Sequence, residues 1–364
     1  MSMNQGLKIA VMKGDGIGPE IADATVEVLH AAAAKVDLEI ELKECLVGMK
    51  AYERSKSTLP EDTLETLRQY PGWILGPTSA GEYPKDDPIR GHPSGYLRKN
   101  FHLFANVRPV KAWPQLNPLI PDLDITVIRE NTEGFYPDRN LAWGYGEFMP
   151  TKDVALSLRV ITKNACDRFA RFSFEYAQAT GQTRLSIAHK RTALPQTEGL
   201  FIGAFEQIAD QFKSVELELL RVDTFSSSMP RDHKRFPLVA TTNLFGDILS
   251  DQCSGLAGGV GIAPSINAGA EQAMAQAVHG TAPDIAGQNK ANPSALILST
   301  AMLLRWFFLK NDNAKCQQAA RLLEEAVRMT IDRGTVTPDL GGTATTASFT
   351  KAVVQALEQD IAPR

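Results

Sequence analysis

Residues 8 to 24 read KIAVMKGDGIGPEIADA: an apolar run ending at Met12, glycines at Gly14, Gly16 and Gly18, and a helix opening at Pro19. A strand that turns through glycine straight into a helix is the seed of an α/β fold. The same glycines raise the question of a dinucleotide cradle, because a second run, VDLEIEL, follows with Asp37 and Glu39, where a ribose-binding acid would stand. The spacing fails that fingerprint. Its third glycine belongs three positions after the second, where this chain has Pro19, a residue suited to a first helical turn and unsuited to close helix–sheet contact. On local grounds a phosphate cradle and a plain strand-to-helix turn both remain open.

The pattern continues along the chain. Strand-like runs at Lys8 to Met12, Leu38 to Leu42, Trp73 to Leu75, Ile125 to Ile128, Arg184 to Ala188, Glu216 to Leu219 and Leu238 to Thr241 alternate with helical stretches, which predicts an α/β class. The long helices are IADATVEVLHAAAAK, ACDRFARFSFEYAQA and ANPSALILSTAMLLRWFF, the last with Pro293 near its start; each shows helical periodicity or a broad apolar face. At 364 residues the chain exceeds one ordinary core, and roughly 150 residues per domain suggests two.

Charged residues make up 22% and the net charge is −4, with no Lys/Arg block, so no field exists to gather nucleic acid. An anionic substrate would need a locally basic pocket. No apolar run reaches the roughly 18 residues of a membrane span and no signal-peptide pattern precedes the first strand, so the expectation is a soluble, cytoplasmic protein without a membrane partner. Cys45, Cys166, Cys253 and Cys316 are scattered with no CxxC pair, which suits reduced, buried thiols better than disulfides or zinc.

Several constellations carry chemistry. In TTNLFGDILSDQ, residues 241 to 252, a helix from about Leu244 would set Asp247 and Asp251 at i and i+4, either as two carboxylates for a hard divalent cation or as solvated surface acids. Arg108 in FANVRPVK and Arg129 in ITVIRENTEGFY lie within or beside apolar runs, where an unpaired guanidinium is costly. With Arg98 they either clamp carboxylates bidentately or form structural ion pairs. Lys190 ends an apolar strand, as an edge cap or as a base. The stretches TSAGEYPKDDPIRGHPSGYLR and VHGTAPDIAGQNKANP have the composition of functional loops, the second suited to wrapping a nucleotide. Asp284 within it could accept from the two hydroxyls of an adenosine ribose and would repel a 2'-phosphate. PDRNLAWGYGEFMP, with exposed-looking aromatics, reads as a disordered hairpin or as an arm packing on a partner subunit.

Taken in order, GDGIGPE, LRK…NVRPV, VIRENTEGFY, HK, NLFGDILSD and HGTAPDIAGQNKANP resemble the metal-dependent β-decarboxylating dehydrogenases, the isocitrate, homoisocitrate, 3-isopropylmalate and tartrate/D-malate dehydrogenase family. The resemblance spans nearly the whole chain. It implies an isopropylmalate-dehydrogenase-like two-domain α/β fold, unlike the Rossmann fold, with central mixed sheets flanked by helices and the active site in an interdomain cleft. A large, discontinuous cofactor-binding domain would comprise 1–103 and 258–364, and a small domain 104–257 would carry the dimer interface and an arm at about 137–157. It implies a homodimer with shared active sites. Arg98, Arg108 and Arg129 would hold the substrate's carboxylates. Asp247 and Asp251 would bind Mg2+ or Mn2+ together with Asp223, which the other subunit contributes along with the base Lys190. Tyr136 matches the catalytic tyrosine. The family's NADP enzymes resemble HGTAPKY where this chain has HGTAPDI, so Asp284 and Ile285 match the NAD pattern, with Thr78, His279, Gly280, Ala282 and Asn292 also on the cofactor.

The implied reaction is NAD-dependent oxidative decarboxylation of a 2-hydroxy di- or tricarboxylate. Its base takes the C2 hydroxyl proton while hydride passes to nicotinamide, and its tyrosine later supplies a proton at C3. Ser94 and Gly95 replace the leucines of isopropylmalate enzymes just before Arg98, which favours a polar or small C3 substituent. Two further departures, Thr192 in KRT and Gln276 in place of a family glutamate, weaken assignment to one substrate. D-malate or tartrate dehydrogenase is an alternative reading. A noncatalytic regulatory subunit is a reading of another class, and it predicts loss of the base, tyrosine or metal aspartates, all of which are present.

Overall fold

The computed structural model describes residues 6–79, 81–89, 92–136, 141–142 and 144–359. They form two compact units, one built from residues up to Leu97 and from Gly259 onward, the other from Arg98–Gly258.

In the first unit the strand order is Ile40–Cys45, Leu7–Met12, Gly72–Leu75, Ala273–Gln276, Ile266–Ala268. All neighbours are parallel except the last pair. Gly72–Leu75 and Ala273–Gln276 are buried at every position, as strands covered on both faces must be. Helices Gly18–Lys35, Ser294–Asn311, Ala314–Asp332 and Thr346–Glu358 pack on one another, and Ser294–Asn311 packs on the strands. Ser294–Asn311 is apolar almost all round and accordingly buried. Two strands of this unit lie outside the predicted runs. AMAQ at 273–276 has no β-branched or aromatic residue to announce a strand, and Ile266–Ala268 has three residues; sheet neighbours, not local propensity, make them strands.

In the second unit the order is Ala105–Lys111, Asp124–Glu130, Leu238–Thr241, Arg184–His189, Glu216–Arg221. Its first pair is antiparallel and the rest parallel, so the strand set of each unit is mixed. Helix Asn243–Ala257 turns Leu249, Cys253 and Ala257 into a core with Val110, Ile125, Val127, Phe225, Phe236 and Val239. Helices Lys163–Ala179 and Pro195–Ala209 join through Phe169, Phe174, Phe201 and Phe205. A separate hairpin, Glu147–Thr151 with Val154–Ser157, exposes all nine strand residues. Positions 137–140 and 143 of the expected arm lie outside the described residues. All four cysteines are buried and unbridged, and burial pushes the thiols up.

The glycine turn is settled by its hydrogen bonds. Gly14 and Gly16 adopt positive φ, 74° and 57°. The N–H groups of Asp15, Ile17 and Gly18 donate to Pro77, Thr281 and Asp15 carbonyls at 2.8, 2.9 and 2.8 Å, which leaves them none to offer a phosphate. A Cβ on Gly16 would stand 2.2 Å from the Thr281 carbonyl oxygen. Pro19 occupies the first turn of helix Gly18–Lys35, as its fixed φ predicts. The turn is therefore a wedge between two loops.

Candidate active site

Strand period two and helix period four bring the second unit's polar residues together. Arg129 is on Asp124–Glu130, paired in register with Asn106 of Ala105–Lys111, and Asn106 shares a strand face with Arg108 two residues on. Helix Asn243–Ala257 crosses against this pair at Gly246, whose missing Cβ would sit 2.6 Å from the Cβ of Arg129. That approach sets Asp247 against the guanidiniums. Arg129 Nη1 donates to Asp247 Oδ1, and Arg108 Nη2 is 3.1 Å from the same oxygen. Asp251, one turn on, takes Arg108 Nη1 at 3.2 Å. The Tyr136 hydroxyl accepts from Arg129 Nη2 at 2.6 Å and donates to Asp247 Oδ2 at 2.6 Å, and its ring lies under the Arg129 guanidinium.

The electrostatics follow from crowding. Burial and then the neighbouring Arg129 lower Arg108 to about 10. Burial alone would raise Asp247, but Arg129, Arg108, the Tyr136 hydroxyl and Arg98 together hold it below the usual carboxylate range. Asp251 goes the other way: burial, reinforced by Asp247, outweighs Arg108 and Arg129 and raises it. One carboxylate of the pair is thus well compensated and the other is not.

Four supporting residues have no counterpart in the sequence reading. Asn106 accepts from Arg108 Nε at 2.6 Å and Ser250 from its Nη1 at 2.8 Å. Asn243 accepts from Arg129 Nε at 2.9 Å and donates to the Glu133 carbonyl at 2.9 Å. Asn131 accepts from Arg98 Nη1 at 3.3 Å. Only Asn106 carried a usable signal, its position two residues before an arginine in a strand.

Lys190 and Asp223 form a second group. Lys190 Nζ lies 2.8 Å from Asp223 Oδ1, and this bond holds Asp223 below the usual carboxylate range. Asp223 does not join Asp247 and Asp251 within one chain: among the described residues no three His, Cys, Asp or Glu side chains come together as a metal site.

In the first unit, segment 278–293 is irregular and anchored by main chain. Glu20 accepts from the Ala291 N–H at 3.1 Å and the Asn289 N–H at 3.4 Å. Asn292 is buried, accepts from the Ser294 N–H at 3.0 Å and donates to Asp339 at 3.1 Å. His279 Nδ1 is 3.0 Å from the Gly280 carbonyl, while its buried Nε2 has no hydrogen-bond partner among the described residues. Burial holds His279 below its usual pKa, so the ring is neutral near pH 7. Asp284 and Gly280 are exposed, Ile285 is half-buried, and Ala282 takes φ 39°. Thr78 is buried 3.2 Å from His92 Nδ1. Ser94 is also buried and donates to Gln276 Oε1 at 2.9 Å, joining two of the four positions (Ser94, Gly95, Thr192 and Gln276) at which the chain departs from the pattern it resembles. Thr192 is exposed.

Mixed strands in each unit, buried arginines crossed by helix-borne aspartates, and a tyrosine bonded to both define an α/β fold with a buried polar cluster. The family model for isocitrate/isopropylmalate dehydrogenase matches residues 8–356. The chain is 38% identical over 354 residues to the 3-isopropylmalate dehydrogenase of Methanothermobacter thermautotrophicus, covering 97% of this chain and 99% of that one. It is 38% identical over 356 residues to the isocitrate/homoisocitrate dehydrogenase of Thermus thermophilus, covering 96% and 98%. The crystal structure of isocitrate dehydrogenase from Methylococcus capsulatus superposes with a TM-score of 0.86 at 34% identity, covering 97% of this chain and all of that one. The chain belongs to the isocitrate/isopropylmalate dehydrogenase family and is a decarboxylating dehydrogenase of that kind. No helix among the described residues is long and apolar enough to cross a membrane.

Proposed function

We propose that the chain catalyses the NAD-dependent, divalent-metal-dependent oxidative decarboxylation of a 3-substituted malate with a polar or small C3 substituent. The observation that carries this reading is the Arg108, Arg129, Asp247 and Tyr136 cluster. Arg98, Arg108 and Arg129 outnumber the two carboxylates they face, so the cluster has positive charge to spare for a polycarboxylate. The arginines neutralise Asp247 and Asp251 in one another's company; a substrate–cation pair can replace both sets of contacts at once.

Asp247 and Asp251, hard oxygen donors one turn apart, fit two ligands of Mg2+ or Mn2+, and the undercompensated Asp251 gains most from a cation. Asp223 would complete the set from a second copy of the chain. When bound, the cation supplies Lewis acidity that lowers the pKa of a hydroxyl and stabilises charge on a neighbouring oxygen. The neutral His279 with its unused Nε2, beside Gly280, Ala282, Ile285 and Asn292, fits the adenosine side of NAD, and Thr78 would touch the same cofactor. Asp284 suits a ribose with a free 2'-hydroxyl, and NAD supplies the hydride acceptor.

This chain's residues do the rest. The arginines orient the carboxylates, Lys190 takes the C2 hydroxyl proton, and Tyr136, its hydroxyl aligned by Arg129 and Asp247, delivers a proton to C3. Lys190 acts in the partner's site, which makes the homodimer obligatory for turnover. Phe148, Met149, Val154 and Leu156 of the exposed hairpin provide apolar area for that association. Ser94, paired to Gln276, stands for the polar C3 pocket. The test is a panel of isocitrate, homoisocitrate, 3-isopropylmalate, D-malate and tartrate with NAD and Mn2+, ranked by kcat/KM. Highest turnover with a polar or small C3 substituent supports the reading; preference for 3-isopropylmalate overturns the pocket, and no turnover of any of them overturns the function.

A further inference from the structure

Arg159, just past the hairpin, belongs to none of the groups above, yet its side chain is only 6% exposed. Its Nη1 donates to Thr197 Oγ1 at 2.6 Å; its Nη2 donates to Glu198 Oε1 at 2.7 Å and to Thr242 Oγ1 at 3.2 Å. The rings of Phe135 and Phe245 lie 5.6 and 5.9 Å from the guanidinium carbon. Each contact leads to a residue assigned a part in the reaction.

Glu198, fully buried in the first turn of Pro195–Ala209, is linked to Lys190 through the main chain, its N–H donating to the Leu194 carbonyl at 3.0 Å. The turn between them is closed by Ala193 and Leu194 N–H groups donating to the Lys190 carbonyl at 3.0 and 3.1 Å. Thr242 is the N-cap residue of the helix that carries Asp247 and Asp251, but its side chain makes no capping bond; its hydroxyl accepts from Arg159 instead. Phe135 precedes Tyr136. Its segment is fastened to Arg159's own strand end, because Gly134 and Val160 exchange main-chain bonds at 2.9 and 3.1 Å and the Thr162 N–H donates to Glu133 at 2.8 Å.

We infer that Arg159, through its buried pair with Glu198, is a positioning residue that holds the Lys190 segment in register with Tyr136 and the Asp247 helix of the same chain. The inference rests on the roles proposed for Lys190, Tyr136 and Asp247. A guanidinium is a planar fork with fixed donor directions, so Thr242 cannot shift against Thr197 and Glu198 without breaking one of the three bonds. A lysine keeps the charge but cannot make that fork. Since Lys190 serves the partner's site while Tyr136 and Asp247 serve their own, the one side chain joins half of each active site in the dimer.

The test uses the full-length dimer with NAD, Mn2+ and the best substrate of the panel, comparing Arg159→Lys, Glu198→Gln and the double change Arg159→Met/Glu198→Gln. Removing Arg159 alone would strand a buried carboxylate, which is why the charge-keeping and charge-free versions are needed. Arg159→Lys should melt within a few degrees of the parent, yet lose about tenfold or more in kcat with KM for the hydroxy acid within about twofold, since misplacement of reacting groups by ~1 Å costs up to ~10²-fold. The pH profile of its kcat should also shift on the limb set by the base. Unchanged kcat in a normally melting Arg159→Lys overturns the inference. So does a loss of kcat that merely follows loss of Tm across the three variants with an unmoved pH profile. If Lys190→Met and Tyr136→Phe leave turnover intact, the proposed function fails first; if they abolish it and Arg159→Lys does not, only the positioning role fails.

Discussion

Arg108 Nη2 lies 3.1 Å from the same Asp247 oxygen that Arg129 contacts. Two buried guanidiniums converge on one carboxylate, and the repulsion between them is what Asp247 relieves. Replacing Asp247 with Asn removes that relief and one proposed cation ligand together. NADH formation with Mn2+ should fall on the order of 10²-fold or more, the scale of losing several kcal/mol of charge stabilisation, and Tm should drop. Unchanged turnover at saturating Mn2+ would refute the ligand assignment.

Gly246 lets the helix close on Arg129. Gly246→Ala should cost ~1–3 kcal/mol of stability by overpacking, because its Cβ would fall 2.6 Å from the Cβ of Arg129. The same displacement should raise KM for substrate and for Mn2+ together. Denaturant melts beside kinetics check both; a variant with parent Cm and parent KM contradicts the packing account.

How much of this was legible in the sequence varies residue by residue. Arg108 and Arg129 could be singled out because a guanidinium in an apolar strand must find partners, and the i, i+4 aspartates because helix period alone sets them on one face. Asn243, Ser250 and Glu198 could not, since a lone polar residue in a helical stretch gives no sign of what lies across the fold from it. The pair Arg159 with Glu198 joins residues 39 positions apart, beyond any periodicity. The strand Ala273–Gln276 was hidden for the opposite reason: its residues prefer helix, and only its buried place between two strands decides otherwise.

The cofactor reading is tested at two exposed or half-buried side chains. Asp284→Lys with Ile285→Tyr should move preference from NAD toward NADP, because a carboxylate that repels a 2'-phosphate is exchanged for a cation that attracts it. The ratio of kcat/KM for the two cofactors is the measurement. Unaltered discrimination against NADP would show that the ribose is recognised elsewhere.

Lys190→Met should depress oxidation of the hydroxy acid by about 10²–10⁴-fold, the usual worth of a general base. Decarboxylation of the corresponding oxo acid should suffer far less. Equal losses in the two assays would argue against Lys190 as the oxidation base.

Acid stability can be assigned in part to Glu218. Burial pushes it up, but hydrogen bonds from Arg235 and Ser186 outweigh burial and hold it below the usual glutamate range. A depressed carboxyl contributes stability above its ordinary value, lost as pH falls through the depressed one. Glu218→Gln should therefore cost less than ~1 kcal/mol at pH 7, and the gap in Tm from the parent should close on going below about pH 4. A gap that stays constant down to pH 3 would assign the effect to packing.

The Gly16 turn has a consequence for redesign. With the Thr281 carbonyl occupying the space of a Gly16 Cβ, and Ile17 bonded to that same carbonyl, the N-terminal turn acts as a template on which the 278–293 loop is cast. Cofactor choice can be rewritten through side chains such as Asp284, but loop grafts that change the length of chain on either side of Thr281 would lose their footing. Tolerance to insertion should begin only beyond Ala286, where exposed Gly287 and Gln288 precede the next anchor at Asn289.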